Sequence, residues 1–193
     1  MSAWNAVSVR FQSRARHDGH GSAMNIRRKM LVVLAALGLA LTASGGVANA
    51  AGVFKPIKNT WSGLCLQPEG GSTFDARIVQ MPCVPGSAIQ NWHFDRISSN
   101  NYQIINEASG RCFYMNGPVR RGSPVAQVAC LPRVSNHVWK TIPAPPSIAE
   151  IESMAGGDHN LCLDVPGAQT TAGLIMQTWD CNNTPAQRFV IGF

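Results

Sequence analysis

Six cysteines, Cys65, Cys83, Cys112, Cys130, Cys162 and Cys181, carry the clearest chemistry in this chain of 193 residues. Their separations of 18, 29, 18, 32 and 19 residues alternate short with long. A structural zinc site draws its thiolates from Cys-x-x-Cys clusters, and there is none here, so no metal and no other cofactor is expected. An even set of spread-out cysteines suits cross-linking instead. Pairing across the short intervals gives Cys65–Cys83, Cys112–Cys130 and Cys162–Cys181. Each bridge closes a loop of about 19 residues, worth roughly 3 kcal/mol in the chain-entropy account. The cysteine-bearing part has no Gly-x-Ser-x-Gly, no His-Glu-x-x-His and no phosphate-cradling glycine loop. His93, His137 and His159 are scattered, so no catalytic residue is assigned. Asn182-Asn183-Thr184 matches a glycosylation sequon but is discounted, because Pro185 follows it.

The elements that would position such groups repeat three times. A large aromatic follows each first cysteine by 27 positions, namely Trp92, Trp139 and Phe189, and two positions before each stands Gln90, His137 or Gln187. At a fixed place in each repeat, these rings are expected to fill a shared core. Stretches such as Arg77 to Met81 and Pro124 to Val128 alternate with the period of half-buried strands. No sustained 3.6-residue period appears, although Pro145 to Met154 leaves room for one short turn of helix. Eighteen glycines and twelve prolines supply turns. Three units, about 55–101, 102–150 and 151–193, describe a closed all-β domain.

The first fifty residues follow another pattern. Arg27, Arg28 and Lys29 precede the uncharged run Leu31 to Ala43, and the small-x-small triplet Ala48-Asn49-Ala50 follows. That is the order of a secretory signal peptide over 24–50, cleaved near Ala50/Ala51, with the product outside the cell. A run of 13 apolar residues is too short for the roughly 20 that span a bilayer, so no stable membrane anchor is expected. Residues 1–23 precede a second methionine, Met24, and read as an over-extended N-terminus. The whole chain carries +6, but residues 51–193 hold ten basic and nine acidic groups, a net of +1. Nearly all the excess charge lies in the leader. Arg120-Arg121 reads as a solvated turn, and a nucleic-acid partner loses its support.

Cys162-Leu163-Asp164-Val165, the triplet Gln90-Asn91-Trp92, its echoes His137-Val138-Trp139 and Gln187-Arg188-Phe189, and the cysteine pairs resemble the ricin-B-type lectins, also classed as Gln-x-Trp carbohydrate-binding modules. The resemblance runs from Trp61 to Phe193. It implies a β-trefoil with pseudo-threefold repeats, up to three shallow sugar sites and no catalysis.

A sugar site needs a carboxylate and an amide for vicinal hydroxyls, and a ring for the C–H face. The third unit meets this need. Asp164 stands where the family's sugar-binding aspartate stands, Trp179 matches the stacking aromatic, Gln177 a polar neighbour, and Gln187 the glutamine that braces the aspartate. The family's usual Asn before that glutamine is Ala186 here, so Asn182 or Asn183 is the candidate amide. The first two units have Gln67 and Tyr114 at the aspartate position, and Met81 and Val128 at the ring position. They are expected to bind weakly or not at all, a differently built site on Tyr114 and Asn116 being the remaining option. The partner implied is a glycan or polysaccharide of galactose or xylose type. The alternative is a protein partner, met by a toxin-targeting or inhibitor scaffold that has lost sugar binding.

Overall fold

Frequent turns cut the chain into strands of two to eight residues, with 310 turns between them. A computed structural model describes residues 53–192 except 133, 145–146 and 157–159. Residues 1–23, the leader over 24–50 and the Ala50/Ala51 junction lie outside the described residues. Among those described, no helix is long and apolar enough to cross a membrane.

The strands form two groups. β1 (Lys55–Pro56), β2 (Lys58–Asn59), β5 (Asn91–Ser98), β6 (Asn101–Asn106), β9 (Trp139–Ala144), β10 (Ile148–Ser153) and β13 (Phe189–Val190) make a closed antiparallel ring. In it β1 pairs with β5, β5 with β6, β6 with β9, β9 with β10, β10 with β13, and β13 with β2. Among the described residues, each strand of the ring has a neighbour on both sides, with β1 and β2 consecutive along the chain. The hairpins β3 (Cys65–Pro68)/β4 (Ala76–Met81), β7 (Cys112–Met115)/β8 (Ser123–Val128) and β11 (Leu161–Asp164)/β12 (Gln177–Asp180) form the second group. They meet one another through β4–β8, β8–β12 and a bridge between Val79 and Ile175.

Each hairpin is closed by its own disulfide: Cys65–Cys83, Cys112–Cys130 and Cys162–Cys181, with Cα–Cα distances of 5.0, 5.0 and 4.9 Å. The short-interval pairing is the one present. Trp92, Trp139 and Phe189 are fully buried, beside Ile57, Leu66, Ile104, Met115, Ile151, Leu163 and Met176. Phe113 links the two indoles edge to face, at 4.5 Å from Trp92 and 6.0 Å from Trp139. Each buried indole N–H donates to a hairpin carbonyl, Trp92 to Leu66 at 2.9 Å and Trp139 to Phe113 at 3.2 Å.

Three expectations change. Ile148 to Ser153, within the stretch allowed a helical turn, is strand β10, fully paired with β9. β-branched residues and a ladder on both sides outweigh any local helical tendency. The boundary read at 150/151 falls inside that strand. Simple alternation also fails in β4 and β8, where Ile78-Val79-Gln80 and Val125-Ala126-Gln127 are each buried in a row. The cause is contact between hairpins. Gln80 donates to the carbonyls of Gln169 and Thr171, and Gln127 to those of Ser72 and Phe74, so the outward face is covered by the neighbouring hairpin.

Candidate carbohydrate-binding site

Two residues past the first cysteine, a side chain on the first hairpin strand turns toward the loop that follows the second cysteine. In the third unit that residue is Asp164, at the end of β11 and only 6% exposed. Its Oδ2 accepts from Gln177 Nε2 at 2.8 Å across the hairpin, and its Oδ1 from Gln187 Nε2 at 3.1 Å. Burial raises its pKa above the ordinary value, and the two amide donors partly oppose that shift. Each carboxylate oxygen keeps one lone-pair direction for a ligand hydroxyl.

Gln187 is a brace. It is fully buried in the 310 turn Pro185–Gln187. Its Nε2 also donates to Asp180 O at 2.9 Å, and its Oε1 accepts from Asn182 N at 2.8 Å, so it spans both sides of Cys181. Both of its amide hydrogens are used, and full burial keeps it from a ligand.

Around Asp164 lies a cleft of about 520 Å3, lined by Val165 to Ala168, Gln177, Trp179, Asn182, Thr184 and Ala186. Trp179 is 40% exposed on β12, presenting a ring at the rim. Asn182 Oδ1 accepts from Thr184 N and Thr184 Oγ1, at 3.1 and 2.7 Å, which closes an Asx turn and leaves its Nδ2 as the free donor of that side chain. Asn183 does not line the cleft. It takes a left-handed backbone (φ 58°) and its Oδ1 accepts from the Arg188 guanidinium at 2.6 and 3.2 Å. Of the two candidate amides, only Asn182 is therefore placed to serve.

Arg121 was not legible as part of this site. It lies in an exposed turn of the second unit, pairs with Asp180, and sits over the Trp179 ring with Cζ 6.0 Å from the centroid. Antiparallel pairing of β12 with β8, Thr178 opposite Ser123, brings it there. Nothing in the sequence around Arg121 signals that contact.

The other two units reuse the frame without the carboxylate. Gln90 repeats the brace of Gln187, donating to Pro82 O at 2.9 Å and accepting from Val84 N at 2.7 Å on either side of Cys83. Its target is Gln67 Oε1, at 2.9 Å. In the second unit Tyr114 packs against His137, ring centroids 4.9 Å apart. Asn116 lines a separate shallow cleft of about 340 Å3 with Asp75 and Arg77, and Tyr114 is not among its lining residues. The structure does not bring those two together.

His137 occupies the brace position but leaves its Nδ1 buried without a partner. Burial lowers its pKa. A base whose folded pKa is lowered favours the unfolded chain as pH falls through the ordinary value of 6.5. His137→Gln restores the amide used in the other units. It is expected to raise stability by about 1 kcal/mol at neutral pH, with a wider gap at pH 5, read by urea unfolding.

Among the described residues, no three His, Cys, Asp or Glu side chains group as metal ligands. The pattern of the Ricin-type beta-trefoil lectin domain matches residues 53–189. The chain belongs to that family. Solved structures share the fold. The designed threefold-symmetric protein ThreeFoil superposes with a TM-score of 0.65 at 20% identity, over 70% of this chain and 95% of that one. An exo-β-1,3-galactanase from Clostridium thermocellum gives 0.64 at 26% identity, over 72% of this chain but 29% of that much longer protein. A Macrolepiota procera ricin B-like lectin in complex with lactose gives 0.60 at 19% identity, over 72% and 94%. No curated protein matches the chain significantly by sequence.

Proposed function

We propose that this chain is a secreted, non-catalytic lectin domain with three repeats, which binds a galactose-containing glycan through its third unit. The observation that carries this reading is the Asp164 carboxylate, held by Gln177 and Gln187 at the floor of a cleft rimmed by exposed Trp179. The carboxylate accepts from vicinal hydroxyls, Asn182 donates to a ring or hydroxyl oxygen, and Trp179 takes the apolar face of the sugar. Galactosides rank ahead of xylosides because the lectin from Macrolepiota procera holds lactose, itself a galactoside. Three disulfides suit an oxidising compartment and support export.

A single shallow site of this kind binds in the millimolar range, about 4 kcal/mol, so useful retention needs several copies or a tether. Calorimetric titration with lactose tests the assignment. Trp179→Ala is expected to weaken binding about tenfold with little loss of stability, because the ring is exposed. Unchanged affinity would remove Trp179 from the site.

One observation favours the alternative of a protein-binding scaffold. Two of the three units lack the carboxylate, and Phe74 and Leu131 are exposed at 74% and 50%. Pull-down from culture supernatant separates the readings, since free lactose elutes the partner of a lectin and leaves that of a scaffold in place.

A further inference from the structure

Trp61 is 56% exposed, more than Trp179, yet it is held in place at both ends. Its backbone N–H and that of Ser62 donate to Asn59 Oδ1 at 3.0 and 2.9 Å, forming an Asx turn. Asn59 is fully buried, and its Nδ2 donates to the carbonyls of Ala186 and Arg188 at 3.0 and 3.2 Å. The neighbouring Thr60 hydroxyl donates to Pro185 O at 3.1 Å. The turn that carries Trp61 is thus bolted to the 310 turn that lines the sugar cleft. At its far end, the indole N–H donates to Ala168 O at 2.8 Å, and Ala168 lines the same cleft.

Exposed aromatic rings normally gain nothing from being fixed, since ordering a large side chain costs entropy. A ring whose edge is anchored and whose face is open is preorganised for a flat apolar partner. Its position adds a second argument. The same Asx turn recurs at Asn106, which donates to the carbonyls of Ile89 and Asn91 at the 310 turn that holds Gln90. There the residue corresponding to Trp61 is Ala108, capped by Asn106 Oδ1 at 3.1 Å. In the first unit Gln67 stands at the position of Asp164. Of these two equivalent places, the one beside a carboxylate has the ring, and the one beside Gln67 has a methyl group.

We infer that Trp61 is a second stacking platform, which takes the next sugar ring of a chain whose first ring sits on Asp164 and Trp179. The ligand is then an oligosaccharide or polysaccharide segment of at least two residues, lying over the Val165–Ala168 loop between the two tryptophans. This inference rests on the lectin reading above.

Calorimetric titration of the disulfide-bonded protein with galactose and with a β-1,3-linked galactotriose tests it. Wild type is expected to prefer the triose by about tenfold. Trp61→Ala is expected to abolish that preference while leaving galactose affinity unchanged. Trp61→Phe keeps a ring and loses the N–H, and is expected to retain most of the preference. Two results would overturn the platform: a Trp61→Ala protein with wild-type affinity for both sugars, or one weakened equally for both, as a purely structural anchor of Ala168 would produce. Asp164→Ala supplies the separate control. If it eliminates binding of both sugars while Trp61→Ala leaves the preference intact, the second platform is wrong and the primary site stands. If Asp164→Ala spares both, the primary site is wrong and the platform falls with it.

Discussion

Asp164→Ala is expected to eliminate lactose binding, with a loss of at least about a hundredfold, while the fold survives. The size follows from geometry. The carboxylate is the one acidic group at the cleft floor, and both of its oxygens are pre-oriented by amide donors. A ligand hydroxyl bound there makes a charge-assisted hydrogen bond in a partly dry site, stronger than a neutral one. Removing the acceptor also leaves the hydroxyl unpaired, which costs about 1–3 kcal/mol for each such group. Two hydroxyls therefore suffice for the expected loss. Stability should move little, within about 1 kcal/mol. The variant sheds a carboxylate that burial disfavours, against the cost of freeing Gln177 Nε2; Gln187 Nε2 keeps Asp180 O. Asp164→Asn is the sharper variant. Its amide nitrogen must face one of the two donors, so binding fails although shape is kept.

The pH dependence follows from the same group, and its two signs differ. The folded pKa of Asp164 is raised above its ordinary 3.8 by burial. Binding needs the ionised form and therefore fades as pH falls through that raised value. Stability runs the other way. An acid with a raised folded pKa contributes stability below its unfolded pKa, and that contribution is lost as pH rises through the folded one. Titrating lactose between pH 7 and pH 4, with urea unfolding at the same pH values, measures both trends. In Asp164→Ala the opposing stability trend from this residue should vanish.

Trp92→Ala is expected to be the most destabilising single change, at about 4 kcal/mol. The indole is fully buried, stacked edge to face on Phe113 and donating to Leu66 O. Truncation opens a cavity where two units meet and leaves that carbonyl without its donor. Trp92→Phe keeps most of the volume and loses the hydrogen bond, so about 1–2 kcal/mol is expected. Chemical unfolding with the disulfides intact checks both. The contrast with Trp179→Ala is the informative part. Of two tryptophans in one chain, one should cost stability and spare binding, and the other should do the reverse.

The cysteine spacing and the aromatics at a constant offset made the hairpins, the disulfide pairing and the core rings readable from the chain alone. Those features are local or periodic. A disulfide across 18 residues closes one hairpin, and a ring at a fixed place in every unit has to meet its counterparts. Asp164, Gln177, Trp179 and Gln187 were readable too, because they belong to one hairpin and the turn after it. The Cys162–Cys181 bridge ties the two strands at one end and so limits the register they can take. The choice between Asn182 and Asn183 was not readable. It depends on which side chain closes the Asx turn and which meets Arg188, a matter of backbone angles in a five-residue loop.

Arg121 and Trp61 mark the limit most clearly. Arg121 sits 58 residues before Trp179, and Trp61 is 107 residues from the carbonyl it holds. Arg121 lies beside Trp179 because the hairpins pair β8 with β12, and Trp61 lies beside Ala168 because ring closure sets β2 next to β13. By itself, the sequence determined the covalent staples, the buried rings and the grouping of Asp164 with Gln177 and Gln187. Tertiary structure alone decided which distant residues lie beside that group, Arg121 over Trp179 and Trp61 against Ala168. The packing of one unit against the next is set by side chains covering each other, and that contact leaves no periodic trace along the chain.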